Sequence, residues 1–141
     1  MKYITPEDIE DVIQSRLFIE SIANNANDDS IMTNIESKAI DLVKSYISTK
    51  YDVSKIFSDT PILNGILIQI ISQIVAYRAV RRNAARKVPE DYIEVYKDAI
   101  NMLAKIQSGA IKLENIPLKT IEEGNTSNLM YGNNRKEDYY I

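Results

Sequence analysis

The stretch "PILNGILIQIISQIVAYRAV", from Pro61 to Val80, limits the fold more than any other part of the chain. Its apolar residues point in almost every direction of a helix, so such a helix must be enclosed on all sides, by lipid or by protein. Asn64, Gly65, Gln69, Ser72 and Gln73 interrupt it. A lipid-facing span of about 20 residues tolerates few such groups. The stretch therefore predicts the central helix of a protein core, with no membrane involvement. The chain has 141 residues, enough for one domain with a modest core, and 45% of them are apolar, too many for a disordered chain. The opening "MKYITPEDIE" is polar and acidic and does not read as a signal peptide. A soluble, intracellular protein is expected.

Helix signals flank this centre. In "TPEDIEDVI", Thr5 is placed to cap a short helix, Pro6 suits its first position, and Asp8 sits three residues after the cap. Ile9, Val12 and Ile13 give it one apolar face. "SIANNANDDS" reads as a polar linker, with Asp29 or Ser30 as the next cap. From Ile31 to about Lys50, Ile35, Ala39, Leu42, Val43, Tyr46 and Ile47 recur at steps suited to an amphipathic helix. "YDVSKIFSDTP" reads as an irregular connection, after which Thr60 is expected to cap the central helix with Pro61 at its first position. Ile66, Ile70, Ile74 and Tyr77 should then pack against Leu42, Tyr46, Tyr96 and Leu103. Pro89 restarts a helix with Tyr92, Val95, Tyr96, Ala99, Leu103 and Ile106 inward, and Gly109 fits the left-handed position that ends it. Periodicity stops after Leu113. The expected fold is all-α: a bundle of about four helices over residues 1–113, then a long, mostly non-helical C-terminal arm over 114–141 with no strong reason to pack on its own bundle.

The chemistry available to this chain is narrow. It has no cysteine and no histidine, so disulfides, thiolate metal sites and the commonest general base are all missing. No nucleophile sits beside a base and no glycine-rich phosphate loop occurs, so neither an enzyme nor a cofactor is expected. Glu7, Asp8, Glu10 and Asp11 lack the spacing of a calcium loop; they read as first-turn acids favoured by the helix dipole, and no metal is expected.

Two features point outward. Arg78, Arg81, Arg82, Arg86 and Lys87 form a basic run with no acid among them. Three readings remain open for it: a solvated helix end pairing with Glu90, Asp91 and Glu94, a contact with another subunit, or a grip on phosphates. Residues 1–29 hold seven acids against Lys2 and Arg16, a net charge of −5, so an acidic end and a basic end would suit head-to-tail contact between copies. The chain as a whole carries −3, which argues against nucleic-acid binding driven by overall charge. Of the nine tyrosines, Tyr46, Tyr77, Tyr92 and Tyr96 lie on inner helical stripes and should be core residues with the hydroxyl at the rim. Tyr131, Tyr139, Tyr140 and Ile141 lie in the arm and read as anchors for a partner surface.

The order of these motifs resembles the Mu-like head–tail connector, or head-completion, family of tailed bacteriophages. Four pieces carry the resemblance: "YITPEDIEDVI", "KAIDLVKSYISTKYDV", "LIQIISQIVAYRAVR" and "YKDAINMLAKIQSGAIKL", which together span residues 3 to 113. Asp52 and Val53 stand where that family often has a proline, and the arm after Leu113 matches no part of its pattern. The resemblance implies a small helical adaptor of the virion neck, made in the host cytoplasm. Such proteins form a ring, typically of twelve copies, beneath the portal protein. They extend the channel through which genomic DNA passes without sequence recognition, and they present a surface to other neck or tail proteins. The interface residues expected on this reading are Glu7, Asp8, Asp11, Arg78, Arg81, Arg82, Arg86, Tyr131, Tyr139, Tyr140 and Ile141. The alternative is a small helical nucleic-acid-binding regulator using the Arg78–Lys87 face.

Overall fold

The computed structural model describes residues 1–13, 28–83 and 88–120. Much of the polar linker, Arg86, Lys87 and the arm from residue 121 onward lie outside the described residues. Five helices are described: α1, Pro6–Glu10; α2, Asp28–Ile47; α3, Val53–Ile56; α4, Gly65–Asn83; and α5, Glu90–Ser108. Among the described residues there is no strand, and one isolated antiparallel bridge joins Tyr51 to Leu118. The fold is all-α, as expected, with the short α3 added inside the connection read as irregular. Asp52 caps α3 by accepting a hydrogen bond from the Lys55 amide at 3.3 Å.

Helix α4 is the centre. It packs against α5, α2 and α1. Leu67, Ile70, Ile71, Ile74, Val75, Ala76, Ala79 and Val80 are all buried. Ile70 and Ile74 are enclosed as expected, whereas Ile66 and Tyr77 are only half-buried. Tyr77 stacks on Tyr96 of α5 with ring centroids 4.4 Å apart, so the two close the rim of the α4–α5 contact.

The start of α4 differs from the sequence expectation. Thr60 and Pro61 do not begin it. The chain stays non-helical to Asn64, whose Oδ1 accepts from the amides of Ile66 at 3.0 Å and Leu67 at 3.2 Å. Asparagine is among the best capping residues, and here it satisfies two of the four donors a helix start leaves open. The residues before it are committed elsewhere: the Ile62 amide donates to the Ile56 carbonyl at 3.0 Å, and the Ile62 carbonyl accepts from the Tyr3 hydroxyl at 2.9 Å. Likewise, Asp29 and Ser30 lie inside α2 rather than capping it.

The N-terminus is fixed by one buried carboxylate. Glu36 on α2 is 2% exposed. Its Oε1 accepts from the amides of Tyr3 at 2.8 Å and Ile4 at 3.0 Å, and its Oε2 accepts from the Lys2 amide at 2.8 Å. Charge-assisted bonds of this length are the strong kind, and three of them offset the cost of removing the carboxylate from water. Thr5 and Asp8 then form the expected capping box, with the Asp8 amide donating to Thr5 Oγ1 at 3.3 Å and the Thr5 amide donating to Asp8 Oδ2 at 2.8 Å. This seats Ile9 and Ile13 in the core.

The segment after α5 also packs on the bundle. Gly109 takes φ 91° and ends α5, as expected. A Cβ there would lie 2.8 Å from Lys50 Nζ. Beyond it, the Tyr51 hydroxyl accepts from the Leu113 amide at 3.0 Å, the Asp52 amide donates to the Pro117 carbonyl at 2.9 Å, and the Lys119 amide donates to the Lys50 carbonyl at 3.0 Å. Ile116 is buried. The first residues of the arm were expected to lack a reason to pack on their own bundle. Tyr51 supplies one through its hydroxyl, and the backbone of its neighbours Lys50 and Asp52 supplies another.

Replacing Ile70 with Ala should cost about 2–5 kcal/mol in denaturant melts, since the residue is fully enclosed; a loss under about 1 kcal/mol would place α4 at the periphery. Glu36→Ala should cost about 3 kcal/mol or more, because three amides lose their acceptor, and Glu36→Gln should fall between that and wild type. A neutral Glu36→Ala would mean the N-terminal segment is not held by this group. Burial pushes the Tyr3 hydroxyl from its ordinary value of 10.0 up to about 12, with the Asn64 backbone offsetting part of the rise. The unfolded chain then loses this proton first, so the folded state holds more protons and stability should fall as pH rises from 10.0 towards about 12. Tyr3→Phe should flatten that part of the stability–pH curve; an unchanged slope would assign it to other groups.

Candidate functional site

The acidic residues lie on α1 and the basic ones at the far end of α4. Glu7, Glu10 and Asp11 are exposed, while Asp8 is half-buried and engaged in the capping box. Asp8 and, just past the end of α1, Asp11 line a cavity of about 380 Å³ together with Gln69, Ser72 and Gln73 of α4. Ser72 is 1% exposed, and its Oγ and the Gln73 Oε1 are buried with no hydrogen-bond partner among the described residues.

At the other end, Arg78 is half-buried and Arg81 and Arg82 are exposed. Among the described residues, none of these three arginines makes an ion pair; Lys55 and Asp52 do, at 3.7 Å. The structure therefore brings Asp8 and Asp11 together with α4 but leaves Arg81 and Arg82 directed at solvent. Arg86, Tyr131, Tyr139, Tyr140 and Ile141 lie outside the described residues.

A second recess, of about 590 Å³, lies between the end of α2 and the segment after α5. Tyr51, Leu113 and Ile116 form its floor and Lys50, Lys112 and Lys119 its rim. Leu118 lines it while 68% exposed. Among the described residues, no helix is long and apolar enough to cross a membrane.

Three polar side chains were missed by sequence reasoning. Glu36 falls in the register of the stripe Met32, Ala39, Val43 and Ile47, all of which are buried. A charge in that register was the available signal. Ser72 and Gln73 read in the sequence only as interruptions of an apolar run.

The model of a protein family described as "Bacteriophage Mu, Gp36" matches residues 3–128. No curated protein matches the chain, and no solved structure does. That match covers α1 through α5 and the segment clamped by Tyr51: the chain belongs to the bacteriophage Mu Gp36 family.

Proposed function

We propose that this protein is a structural subunit of the phage neck, a head–tail connector that assembles as a ring beneath the portal and carries out no chemical step. Membership of the Mu Gp36 family supports a structural or morphogenetic role in the phage. The finer reading adds a ring, of twelve copies by analogy with connectors, that extends the DNA channel and joins capsid to tail. The observation that carries it is the separation of charge on a rigid body. Exposed acids of α1 sit at one place, and Arg81 and Arg82, exposed and without an ion pair among the described residues, sit at another. Like surfaces cannot satisfy each other, so such a body meets its copies head to tail, and a head-to-tail contact closes into a ring when the rotation allows it. Electrostatic complementarity would set the register of that contact.

In the ring, Glu7, Asp8 and Asp11 of one copy approach Arg78, Arg81, Arg82 and Arg86 of the next. Tyr131, Tyr139, Tyr140 and Ile141 serve as anchors on a neighbouring copy, the portal or another neck protein. Genomic DNA passes without being read, and the protein resides in the virion after synthesis in the host cytoplasm.

Mass measurement of the purified protein, alone and mixed with portal protein, tests this reading. A defined multimer on the portal is expected; no association with portal at any ratio would refute it. Reversing Arg81 and Arg82 to Glu should block ring formation while leaving the thermal melt of the monomer unchanged. If the double variant assembles normally but particles lose their DNA, the arginines line the channel instead. Salt-dependent binding of duplex DNA by the isolated wild-type protein, abolished by the same reversal, would favour the nucleic-acid-binding regulator.

A further inference from the structure

The recess of about 590 Å³ between the end of α2 and the segment after α5 is built to take a peptide. Tyr51, Leu113 and Ile116 give it an apolar floor, and Lys50, Lys112 and Lys119 stand exposed around it. None of the three lysines makes an ion pair among the described residues. Leu118 also lines the recess, although most of its surface is open. A large apolar side chain left open beside an apolar floor marks an interaction surface.

The backbone gives a second, independent signal. The Asp52 amide donates to the Pro117 carbonyl and the Lys119 amide to the Lys50 carbonyl. These two bonds flank the Tyr51–Leu118 pair, so Leu118 turns its own amide and carbonyl away from Tyr51. Neither group has a partner among the described residues. An open edge of this kind pairs with an extended segment, while pockets beside it take alternate side chains. The matching occupant is an extended peptide with large apolar side chains and with acids to meet the lysines.

The chain carries a peptide of this kind. Glu137, Asp138, Tyr139, Tyr140 and Ile141 set two carboxylates beside three large side chains with apolar bodies. They lie outside the family match, which covers residues 3–128. Residues 121–136 separate this peptide from the segment clamped to α2, and fully extended they reach about 50 Å. That exceeds the diameter of a small domain, about 30 Å, so the peptide can reach a neighbouring body. The chain leaves its own recess along Lys119, and re-entry there needs a reversal that costs loop entropy. In a ring each copy offers one recess and one arm, so exchange from copy to copy fills every recess.

We infer that the recess floored by Tyr51, Leu113 and Ile116 receives the Glu137–Ile141 peptide of a second copy of this chain. The inference rests on the ring reading and assigns a receptor to its tyrosine anchors. Side chains of Tyr139, Tyr140 and Ile141 cover Leu118 and the floor, the two acids pair with the rim lysines, and the peptide backbone pairs with the edge at Leu118.

The chain has no cysteine, so single cysteines can be placed beside the contact without removing a group that makes it. Thr49 lines the recess, and Lys136 precedes the peptide. Full-length Thr49→Cys and Lys136→Cys variants, carrying tags of different size, are mixed with portal protein and treated with a short thiol–thiol cross-linker. The 49-to-136 product between chains should exceed the 49-to-49 and 136-to-136 products severalfold. Statistical proportions would overturn the inference, as would a chain carrying both cysteines that links only within itself. Lys112→Glu with Lys119→Glu in the Thr49→Cys chain should cut the 49-to-136 yield severalfold. Glu137→Lys with Asp138→Lys in the Lys136→Cys chain should then restore it, which a merely misfolded variant would not allow. A loss without restoration, or no loss at all, sinks the contact. A ring on the portal with statistical cross-links leaves the connector reading standing and this contact wrong. A 49-to-136 product from concentrated protein that never associates with portal leaves this contact standing and the connector reading wrong.

Discussion

Burial of α4 on nearly every side is the constraint from which the rest of the structure follows. A helix with apolar residues around its whole circumference has no face to give to water, so each side needs a wall. Helices α2 and α5 supply two walls, and α1 supplies a third. With only five residues, α1 is far too short to be a stable helix alone. It is held there because Glu36 gathers the amides of Lys2, Tyr3 and Ile4, and because Tyr3 reaches across to the Ile62 carbonyl. One buried carboxylate thus couples the N-terminus to α2 and, through Tyr3, to the loop that leads into α4.

Tyr51 plays the corresponding part at the other end of the chain. Its ring is buried, its hydroxyl accepts from Leu113, and its backbone pairs with Leu118. The segment after α5 is drawn along the end of α2, and a recess with an apolar floor and a lysine rim results. Asn64 ties the two ends of this arrangement together, since it caps α4 with Oδ1 and donates from Nδ2 to the Glu114 carbonyl at 3.2 Å. The bonds from Tyr51 to Leu113 and from Asn64 to Glu114 join residues 62 and 50 positions apart, and they tie the segment after α5 to the bundle.

The sequence by itself determined the helices and much of their order. The run from Pro61 to Val80, the Thr5–Asp8 capping pair, the restart at Pro89 and the glycine stop at Gly109 are local signals, read from residues a few positions apart, and each local rule acts through the same short-range sterics and hydrogen bonds in any fold. The tertiary structure alone decided what depends on distant partners. Thr60–Pro61 is a good helix start locally, yet Ile62 is bonded to Ile56 and Tyr3, so the helix begins after Asn64. The buried stripe of α2 runs through Met32, Glu36, Ala39 and Val43, and a glutamate belongs in it only because three amides from the N-terminus arrive there. In both cases the deciding energy is the cost of a buried polar group without a partner, and a partner some 30 or more residues away leaves no mark in a local pattern.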